Sequence, residues 1–372
     1  VAIAKPFMGY EEAQAAYNVV KSGWVTQGPK VEEFEGEFAK YTGAKYAVAV
    51  SNCTTALHLA LYDAGVAEGD EVICPSMSFI ASANAIKYCN AEPVFAEVGE
   101  DYNIDIEDVK SKITSKTKAV LIVHQIGMPA DIDAFKALCN EKGITLIEDA
   151  ACGIGATYNG NKIGSHSKYV CFSLHPRKVI STGEGGMITT NSEEVYKSLK
   201  LLRQHGMSIN DRVRHNAKTV VIESYDVLGF NYRMTDIQAA IGLVQLNKLD
   251  EILKLRNNIA ETYFKEFGDI DSIQLPFPKE GKTTNFQSFS ILIKESSKKD
   301  RNTIMQELLD CGIASRRGIM LAHLESPYAY KNVTLPVSEA LADNSILIPL
   351  YAQMPQEEIQ YVIENFKRIL EA

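Results

Sequence analysis

The segment YVCFSLHPRKVISTGEGGMITTN, residues 169–191, holds one lysine, Lys178, between two apolar runs. The runs YVCF and MITT have the β-branched and aromatic content of buried strands. Lysine is usually a solvated surface charge, but an amine among apolar strands loses hydration, which lowers its pKa and makes it nucleophilic. The glycines of TGEGG would let the backbone approach a bound ligand closely. We therefore expect Lys178 to be a reactive amine beyond the end of a strand.

The same alternation of apolar runs and helical segments extends through the first half of the chain. Runs of strand length lie at residues 46–52, 71–76, 92–98, 118–126, 145–151, 169–175 and 186–191. Segments with helical spacing lie at residues 31–43, 54–65, 81–89 and 130–143. This alternation predicts an α/β fold in which a mostly parallel, seven-stranded sheet is covered on both faces.

The pattern changes after residue 235. Residues 235–268 predict one long helix or two helices in close succession, and SFSILIK, residues 288–294, predicts a strand. Two later stretches also look like strands, and residues 354–370 form an amphipathic helical pattern. We therefore predict a large α/β domain over residues 1–248 and a smaller α+β domain over residues 249–372.

Composition restricts the classes of function. The chain has 372 residues and a net charge of −9, which argues against a nucleic-acid-binding protein. No apolar run approaches the roughly 18 residues of a membrane span, and the N-terminal sequence lacks the features of a signal peptide. The seven cysteines form no CxxC pair, which favours free thiols in a reducing cytoplasm over a zinc site. We expect a cytoplasmic protein without nucleic-acid or membrane partners.

Three predicted strands end next to groups that suit one chemistry. SNCTT, residues 51–55, follows the first strand and opens a helix, where hydroxyls cap the helix or its free N–H groups bind a phosphate. Glu148 and Asp149 follow a central strand, and a buried carboxylate there needs a partner. That partner is either the start of a helix or a salt bridge, or else a protonated ring nitrogen. Lys178 follows a third strand.

A phosphate site, a carboxylate and an amine at one edge of a sheet suit pyridoxal 5′-phosphate. The amine condenses with the aldehyde of the cofactor, and the carboxylate keeps the pyridine nitrogen protonated. Ligands of parallel sheets bind outside the carboxyl ends of the strands, where all three groups are expected. Phe79, after the strand EVICPS, would stack on the face of the ring.

At these residues the chain resembles the DegT/StrS-type (DegT/DnrJ/StrS) sugar aminotransferases, which are fold type I enzymes dependent on pyridoxal phosphate. The likeness covers nearly the whole chain. It is most specific in FSLHPRKVISTGEGGMITTN, residues 172–191, and GFNYRMTDIQAAIGLVQL, residues 229–246. It also includes SNCTTALHLAL, residues 51–61, and LIEDAACGIGA, residues 146–156. The resemblance implies an aspartate-aminotransferase-like fold.

The resemblance also implies roles for single residues. Lys178 matches the lysine that forms a Schiff base with the cofactor and moves protons, and Asp149 matches the partner of the pyridinium nitrogen. The other matches contact the ring or the phosphate of the cofactor: Phe79, Thr54, Thr55, Ser173 and Asn231. The family supplies the last of these from the neighbouring subunit, which implies a homodimer with shared active sites. Cys152 stands where the family commonly has Gln, Glu or His near the ring hydroxyl, so we expect that contact to be lost or replaced by water.

For the substrates, the resemblance implies transfer of an amino group from L-glutamate to a nucleotide-linked keto sugar for surface polysaccharide. The motif NYRMTD favours C-4 of a 4-keto-6-deoxy sugar over the C-3 position. Within residues 205–226, basic side chains form either a solvated loop or a clamp for the diphosphate. The predicted substrate contacts are Trp24, His175, Arg212, Arg214, His215 and His323.

Other classes of protein fit the residues less well. A dinucleotide-binding oxidoreductase would want GxGxxG after the first strand, where this chain has SNCTT. Some relatives carry histidine at the position of Lys178 and act as dehydratases, whereas this chain keeps the lysine. A non-catalytic regulator of the same family remains a further alternative, although both Lys178 and Asp149 are intact.

Overall fold

The computed structural model describes residues 1–209, 217–276 and 279–371. The elements of its first part are α1 (Tyr10–Ser22), α2 (Pro29–Thr42), β1 (Tyr46–Val50), α3 (Cys53–Asp63), β2 (Glu71–Pro75), α4 (Ala81–Tyr88), β3 (Glu92–Ala96), α5 (Ile106–Lys112), β4 (Thr117–Val123), α6 (Ile132–Lys142), β5 (Thr145–Asp149), β6 (Thr157–Tyr158), β7 (Asn161–Lys162), β8 (Tyr169–Ser173), β9 (Gly186–Thr190) and α7 (Glu193–Leu202). They are followed by α8 (Asp236–Asn247), α9 (Leu249–Phe267), β10 (Ile273–Gln274), β11 (Lys282–Thr283), β12 (Phe289–Ile293), α10 (Arg301–Asp310), β13 (Arg316–Arg317), α11 (Pro336–Asn344), β14 (Ser345–Ile348) and α12 (Gln356–Glu371).

The large sheet has seven strands in the order β1-β9-β8-β5-β4-β2-β3. Only β9 runs antiparallel to its neighbours, and the other pairs are parallel, so the predicted mostly parallel sheet is confirmed. Its strands read as continuous apolar runs because both faces are buried. In β4, Val120 and Ile122 pack in one core while Ala119 and Leu121 pack in the other, as the alternation of side chains in a strand requires.

The second sheet is antiparallel and has four strands in the order β10-β12-β14-β13. Helices α9, α10 and α12 pack on it and form a separate core that contains Phe267, Leu308 and Phe366. The predicted α+β region is therefore present. Residues 235–268 form two helices that break at Lys248, although Leu249 still packs in the core of the large sheet. The predicted domain boundary at residue 248 stays a prediction.

Two features of the described chain bear on predictions made from composition. All seven cysteines are free thiols, and five of them are buried, as the sequence predicts. In the three ranges that the structure describes, no helix has both the length and the apolar character needed to cross a bilayer.

Candidate active site

Lys178 lies in the loop between β8 and β9, with its side chain half-buried. Backbone hydrogen bonds from the Leu174 amide to the Gly185 carbonyl and from the Thr182 amide to the Leu174 carbonyl, each 2.9 Å, tie the two ends of this loop together. The Lys178 Nζ atom donates a hydrogen bond to the Cys152 Sγ atom at 3.2 Å. The loop therefore aims the amine at the segment that follows β5.

The predicted lowering of the Lys178 pKa is wrong for the chain without cofactor. Burial does lower the pKa of Lys178, but the neighbouring Cys152 sulfur and Asp149 carboxylate raise it, and the net shift is upward. The sequence indicated the burial but not the negative partners that the fold brings to the amine. A cationic amine at this position is therefore stabilised until a ligand changes its surroundings.

Asp149 ends β5 and is buried. Its Oδ2 atom accepts a hydrogen bond from the Ser82 hydroxyl at 2.8 Å, and its Oδ1 atom accepts one from the Ala151 amide at 3.0 Å. Burial raises the pKa of Asp149 above its ordinary value, and these two hydrogen bonds offset only part of that rise. The salt-bridge alternative does not apply to Asp149, which has no ion-pair partner within the described part of the chain. The neighbouring Glu148 has a protein partner, because its Oε2 atom lies 2.9 Å from the His124 Nε2 atom.

Helix α3 begins directly after β1, at Cys53 rather than at Thr54. Asn52 is its N-cap, because the Asn52 Oδ1 atom accepts a hydrogen bond from the Thr55 amide at 2.9 Å. The Thr55 hydroxyl donates back to the Asn52 carbonyl at 2.8 Å. Thr54 lies in the first turn and is half-buried. The capping alternative is therefore present, and the N-terminus of α3 remains available for the predicted phosphate contact.

Two of the glycines after Lys178 are required by the packing of the protein itself. A Cβ atom on Gly186 would lie 2.4 Å from the Asn52 carbonyl oxygen, so only glycine lets β9 pass this close to the start of α3. A Cβ atom on Gly185 would lie 2.3 Å from the Thr182 hydroxyl. Gly185 and Gly186 therefore serve the packing of the lysine loop against itself and the start of α3, and the predicted close approach of a ligand stays a prediction.

The other predicted cofactor residues are placed by the same strand ends. Phe79 follows β2, and its side chain is 61% exposed, which leaves a large aromatic ring without a covering group. Ser173 ends β8 and is buried, with its hydroxyl accepting a hydrogen bond from the His175 amide at 3.4 Å. Asn231 is exposed and pairs through its backbone with Gln204.

The described residues fit pyridoxal phosphate. Asp149, Cys152 and Lys178 influence one another electrostatically, and the Ser82 hydroxyl brings the segment that carries Phe79 to the same carboxylate. A buried carboxylate with only neutral donors lacks a cation, which a protonated ring nitrogen would supply. An exposed aromatic ring lacks a stacking partner, which the ring face would supply. Lys178 offers the amine that such a cofactor requires.

The structure describes side-chain contacts for Trp24, between α1 and α2, and for His175, in the lysine loop. The Trp24 Nε1 atom donates to the Gln27 carbonyl at 3.2 Å, and the indole packs so closely on Gly28 that a Cβ atom there would lie 1.9 Å from Nε1. His175 is three residues from Lys178 in sequence, and its Nδ1 atom accepts a hydrogen bond from the Arg177 amide at 3.2 Å. Burial lowers the pKa of His175. Their contact with substrate stays a prediction.

The remaining substrate predictions differ in what the structure says of them. His323 is 3% exposed. Its Nδ1 atom lies 2.6 Å from the Ser76 hydroxyl, and its Nε2 atom lies 3.2 Å from a Glu339 carboxylate oxygen. Both ring nitrogens thus have protein partners, and the residue joins β2 to α11. The predicted contacts of Arg212, Arg214 and His215 lie outside the described residues.

Three polar residues at the site were missed from the sequence. Ser82 donates to Asp149, and two residues near the start of β12, Asn285 and Gln287, donate to backbone carbonyls of the loops that carry Cys152 and Lys178. Ser82 is a small polar residue in a partly apolar segment, and Asn285 and Gln287 lie in the mostly polar segment KTTNFQS, residues 282–288. Such polar character does not identify partners that are far away along the chain.

Comparison with known proteins identifies the family of the chain. A model described as the DegT/DnrJ/EryC1/StrS aminotransferase family matches residues 6–367. The chain is 35% identical to a GDP-perosamine synthase of Caulobacter vibrioides, covering 100% of this chain and 98% of that protein. It is 34% identical to the spore coat polysaccharide biosynthesis protein SpsC of Bacillus subtilis, with 98% and 96% covered. The PLP-form structure of the putative sugar aminotransferase Spr1654 from Streptococcus pneumoniae has a TM-score of 0.93 at 29% identity, with 100% and 98% covered.

Proposed function

Because the chain belongs to the DegT/DnrJ/EryC1/StrS aminotransferase family, we propose that this pyridoxal-phosphate-dependent sugar aminotransferase moves an amino group from L-glutamate to a nucleotide-linked keto sugar. The proposed acceptor carbon is C-4 of a 4-keto-6-deoxy sugar, with C-3 as the alternative. The product would serve the synthesis of a surface polysaccharide in the cytoplasm. Support comes from the names of two relatives, a GDP-perosamine synthase and a spore coat polysaccharide biosynthesis protein.

The observation that carries the proposal is the arrangement of Lys178, Cys152 and Asp149 at the carboxyl ends of β5 and β8. When bound, the cofactor supplies an electron-accepting ring that stabilises negative charge beside the transferred amino group. Asp149 holds a proton at the ring nitrogen through its carboxylate. Lys178, once its Nζ atom is free and neutral, takes the proton from the α-carbon of the amino donor and returns it as an acid.

The loops around the amine position the cofactor for this proton transfer. Phe79 presents its exposed ring at the edge of the sheet where Asp149 lies. The free N–H groups at the start of α3, beside Thr54, and the Ser173 hydroxyl at the end of β8 are the proposed phosphate contacts. Contacts from separate strand ends would hold the cofactor in one orientation relative to Lys178, and such positioning contributes to the rate of a proton transfer.

The proposed homodimer is supported by one apolar surface. Val220 is 92% exposed, Ile222 is 84% exposed and Leu228 is 75% exposed, all within one stretch that leads to the exposed Asn231. Apolar side chains so fully exposed in series are typical of an interaction surface. A second copy covering this stretch would bring its own Asn231 next to the first copy, as shared active sites require.

The test uses purified protein, nitrogen-labelled L-glutamate and a set of nucleotide-linked 4-keto-6-deoxy and 3-keto sugars, with the GDP-linked 4-keto sugar first. Mass spectrometry detects the labelled amino sugar, and NMR identifies the carbon that carries nitrogen. Label at C-4 is the expected result, and label at C-3 would favour the alternative. If glutamate converts the cofactor to its amino form but no sugar is labelled, the proposed acceptor class is wrong.

The basic residues 212 and 214 lead to a separate test of substrate binding. We expect the double change of Arg212 and Arg214 to glutamate to raise the KM for the sugar nucleotide and leave the half-reaction with glutamate intact, because a clamp contacts only the diphosphate. The matched control reverses Lys116 and Lys118, exposed lysines at the start of β4, the end of the strand that is opposite the site. Equal losses in both half-reactions would contradict the clamp.

A further inference from the structure

Residues 285–287 form a turn between β11 and β12, at the beginning of the small sheet. Asn285 is 1% exposed, and its Nδ2 atom donates to the carbonyls of Cys152 at 2.6 Å and Ile154 at 2.8 Å. Its Oδ1 atom accepts a hydrogen bond from the Gln287 amide at 2.9 Å. The Asn285 side chain therefore donates both of its amide hydrogens to the loop that follows Asp149. Its oxygen accepts a hydrogen bond within the turn to which Asn285 belongs.

The same turn contacts two neighbouring loops. The Gln287 Nε2 atom donates to the carbonyl of Arg177, the residue before Lys178, at 2.9 Å. Asn285 also packs against Gly127, where an added Cβ atom would lie 1.8 Å from the Asn285 Oδ1 atom. The three loops contacted follow β4, β5 and β8, which are adjacent strands of the large sheet. The turn thus spans the strand ends at which the candidate active site is built.

The turn is itself held in an unusual conformation. Phe286 has a φ of 46°, in the left-handed region that is costly for a residue with a Cβ atom. Buried Arg256, on α9, donates to the Phe286 carbonyl from Nε at 3.0 Å and to the Gln287 carbonyl from Nη2 at 2.8 Å. Burial lowers the pKa of Arg256 to about 10, and among the described residues it has no ion-pair partner. Arg256 thus donates its described hydrogen bonds only to backbone carbonyls of the turn, which indicates that the turn is held in a single conformation.

We propose that the turn Asn285–Gln287 is a positioning element for the cofactor site. Its two side chains fix the carbonyls of Cys152 and Arg177, and so set the position of the Cys152 sulfur relative to the Lys178 amine, which donates to it at 3.2 Å. Both residues act through others and touch no reacting atom. This inference deepens the proposed function and rests on it, since it concerns the lysine and the carboxylate of the same site.

The consequence of losing these contacts is specific. Removing the donor hydrogens of Asn285 leaves two buried carbonyls without partners, so the loop after β5 shifts relative to the lysine loop. Displacements of this kind change the surroundings of the amine and weaken cofactor binding, because an active site tolerates little misplacement of its groups. A residue that only stabilised the fold would lower the melting temperature without changing the titration of the bound cofactor.

The experiment compares Asn285→Asp with Asn103→Asp. Asn103 is an apt control because it is also buried, donates from Nδ2 to two carbonyls, those of Met128 and Pro129, and accepts from the Gln125 amide through Oδ1. It holds only the loop after β4. Each variant is loaded with pyridoxal phosphate, and its absorbance is measured against cofactor concentration and against pH.

We expect both aspartate variants to lower the melting temperature, while only Asn285→Asp raises the cofactor dissociation constant, by about tenfold, and moves the midpoint of the absorbance titration. Gln287→Glu, at a more exposed position, keeps the fold and should weaken binding by about threefold. Asn285→Asp and Gln287→Glu variants that match Asn103→Asp in both readouts would overturn the proposal. Wild-type protein that binds no cofactor would overturn the proposed function as well, which separates the two failures.

Discussion

Glu35 and Asp149 are carboxylates that are equally buried beside the large sheet, but the fold places cations in direct contact with Glu35 alone of the two. Glu35, on α2, has its Oε2 atom 3.1 Å from the Lys200 Nζ atom and its Oε1 atom paired with Arg203. Burial alone would raise the pKa of Glu35, but the two cations outweigh burial and hold that pKa below its ordinary value. The Glu35 cluster therefore contains its own counter-charge and needs nothing from outside.

Asp149 is just as deeply buried, but its pKa is shifted in the opposite direction from that of Glu35. Its donors are the neutral Ser82 hydroxyl and Ala151 amide, and burial raises its pKa above the ordinary value. The comparison teaches that burial alone does not distinguish a structural carboxylate from a functional one. The absence of a direct ion pair does, because a carboxylate that accepts hydrogen bonds only from neutral donors is available to a cationic ligand.

The largest expected effect is that of Lys178→Ala. Turnover should fall by at least about 10³-fold, because the variant loses both the covalent attachment of the cofactor and the group that moves the proton. Loss of the amine also removes a positive neighbour of Asp149, so its pKa should rise further while Glu35 is unaffected. Assays of each half-reaction measure the first effect, and borohydride treatment followed by mass spectrometry should find no cofactor fixed to the chain.

A matched control for this variant is Lys197→Ala. Lys197 is exposed on α7 and pairs with Glu193 at 2.7 Å, away from the strand ends that form the site. It should keep normal turnover and normal labelling by borohydride. Near-normal turnover of Lys178→Ala, or labelling at another lysine, would remove the basis for the proposed function.

Glu35→Gln should affect stability and leave the cofactor site intact. The change leaves Arg203 buried without its counter-charge, and breaking a buried ion pair in this way costs about 3–5 kcal/mol of unfolding free energy. Unfolding in urea measures the loss, and a cofactor titration should match that of the wild type at a temperature where both are folded. Glu37→Gln, on the exposed side of the same helix, should change neither. A stable Glu35→Gln variant would show that the cluster is not as complete as its geometry indicates.

Asp149→Asn should show the reverse pattern. The amide keeps the shape of the carboxylate and carries no charge, so the cofactor-free chain should be as stable as the wild type or more stable. Catalysis should fall on the order of 10²-fold or more, because an amide cannot hold the positive ring nitrogen as a carboxylate does. Urea unfolding and the glutamate half-reaction measure the two effects. A variant that lost stability and kept activity would contradict the comparison of Asp149 with Glu35.

The two carboxylates also predict opposite dependences of stability on pH. The folded-state pKa of Asp149 is raised above the ordinary pKa of 3.8. Its contribution to stability is therefore lost as the pH rises from 3.8 through the raised pKa, because the folded chain then loses a proton less readily than the unfolded chain. The pKa of Glu35 is lowered, so its stabilising contribution is present above the ordinary value of 4.5 and is lost as the pH falls through the lowered pKa. The stability advantage of Asp149→Asn should therefore grow with rising pH, and the deficit of Glu35→Gln should shrink in acid. Urea unfolding of cofactor-free protein at several pH values measures both, and an Asp149→Asn advantage independent of pH would contradict the raised pKa.

Most of the large sheet could be predicted from the sequence because its strands are buried on both faces. All seven apolar runs are strands, and their observed bounds begin within a residue of the predicted ones. The strands β6, β7 and β11 were not predicted, because each has only two residues: β6 and β7 form a short hairpin, and β11 pairs with β6 from a distant part of the chain. The sequence did not decide between one long helix and two, because the helical pattern continues through Lys248, where α8 and α9 are separated.

The candidate site was predictable to the extent that it follows strand ends. Asp149 is the last residue of β5, and Lys178 lies in the loop that follows β8. Their convergence follows from the parallel pairing of these two strands. Ser82 is 67 residues from Asp149 and Asn285 is 133 residues from Cys152, and no local pattern links such partners. The predicted direction of the Lys178 pKa shift was wrong for the same reason, since Cys152 is brought next to the amine only in the folded chain.

The smallest expected effect concerns Phe79, which resembles Asp149 in being incomplete without a ligand. Its ring is 61% exposed, so Phe79→Ala should cost the cofactor-free chain little stability. With cofactor the loss of a stacked ring should weaken binding by about three- to tenfold, as expected for an aromatic pair. Leu309→Ala is the matched control, because Leu309 is also 61% exposed and lies on α10. Phe79→Tyr should restore most of the affinity, since it keeps the ring. If Phe79→Ala lowered the free energy of unfolding of the cofactor-free chain as much as it lowered the free energy of cofactor binding, the ring would have a structural role and would not be a binding surface for the cofactor.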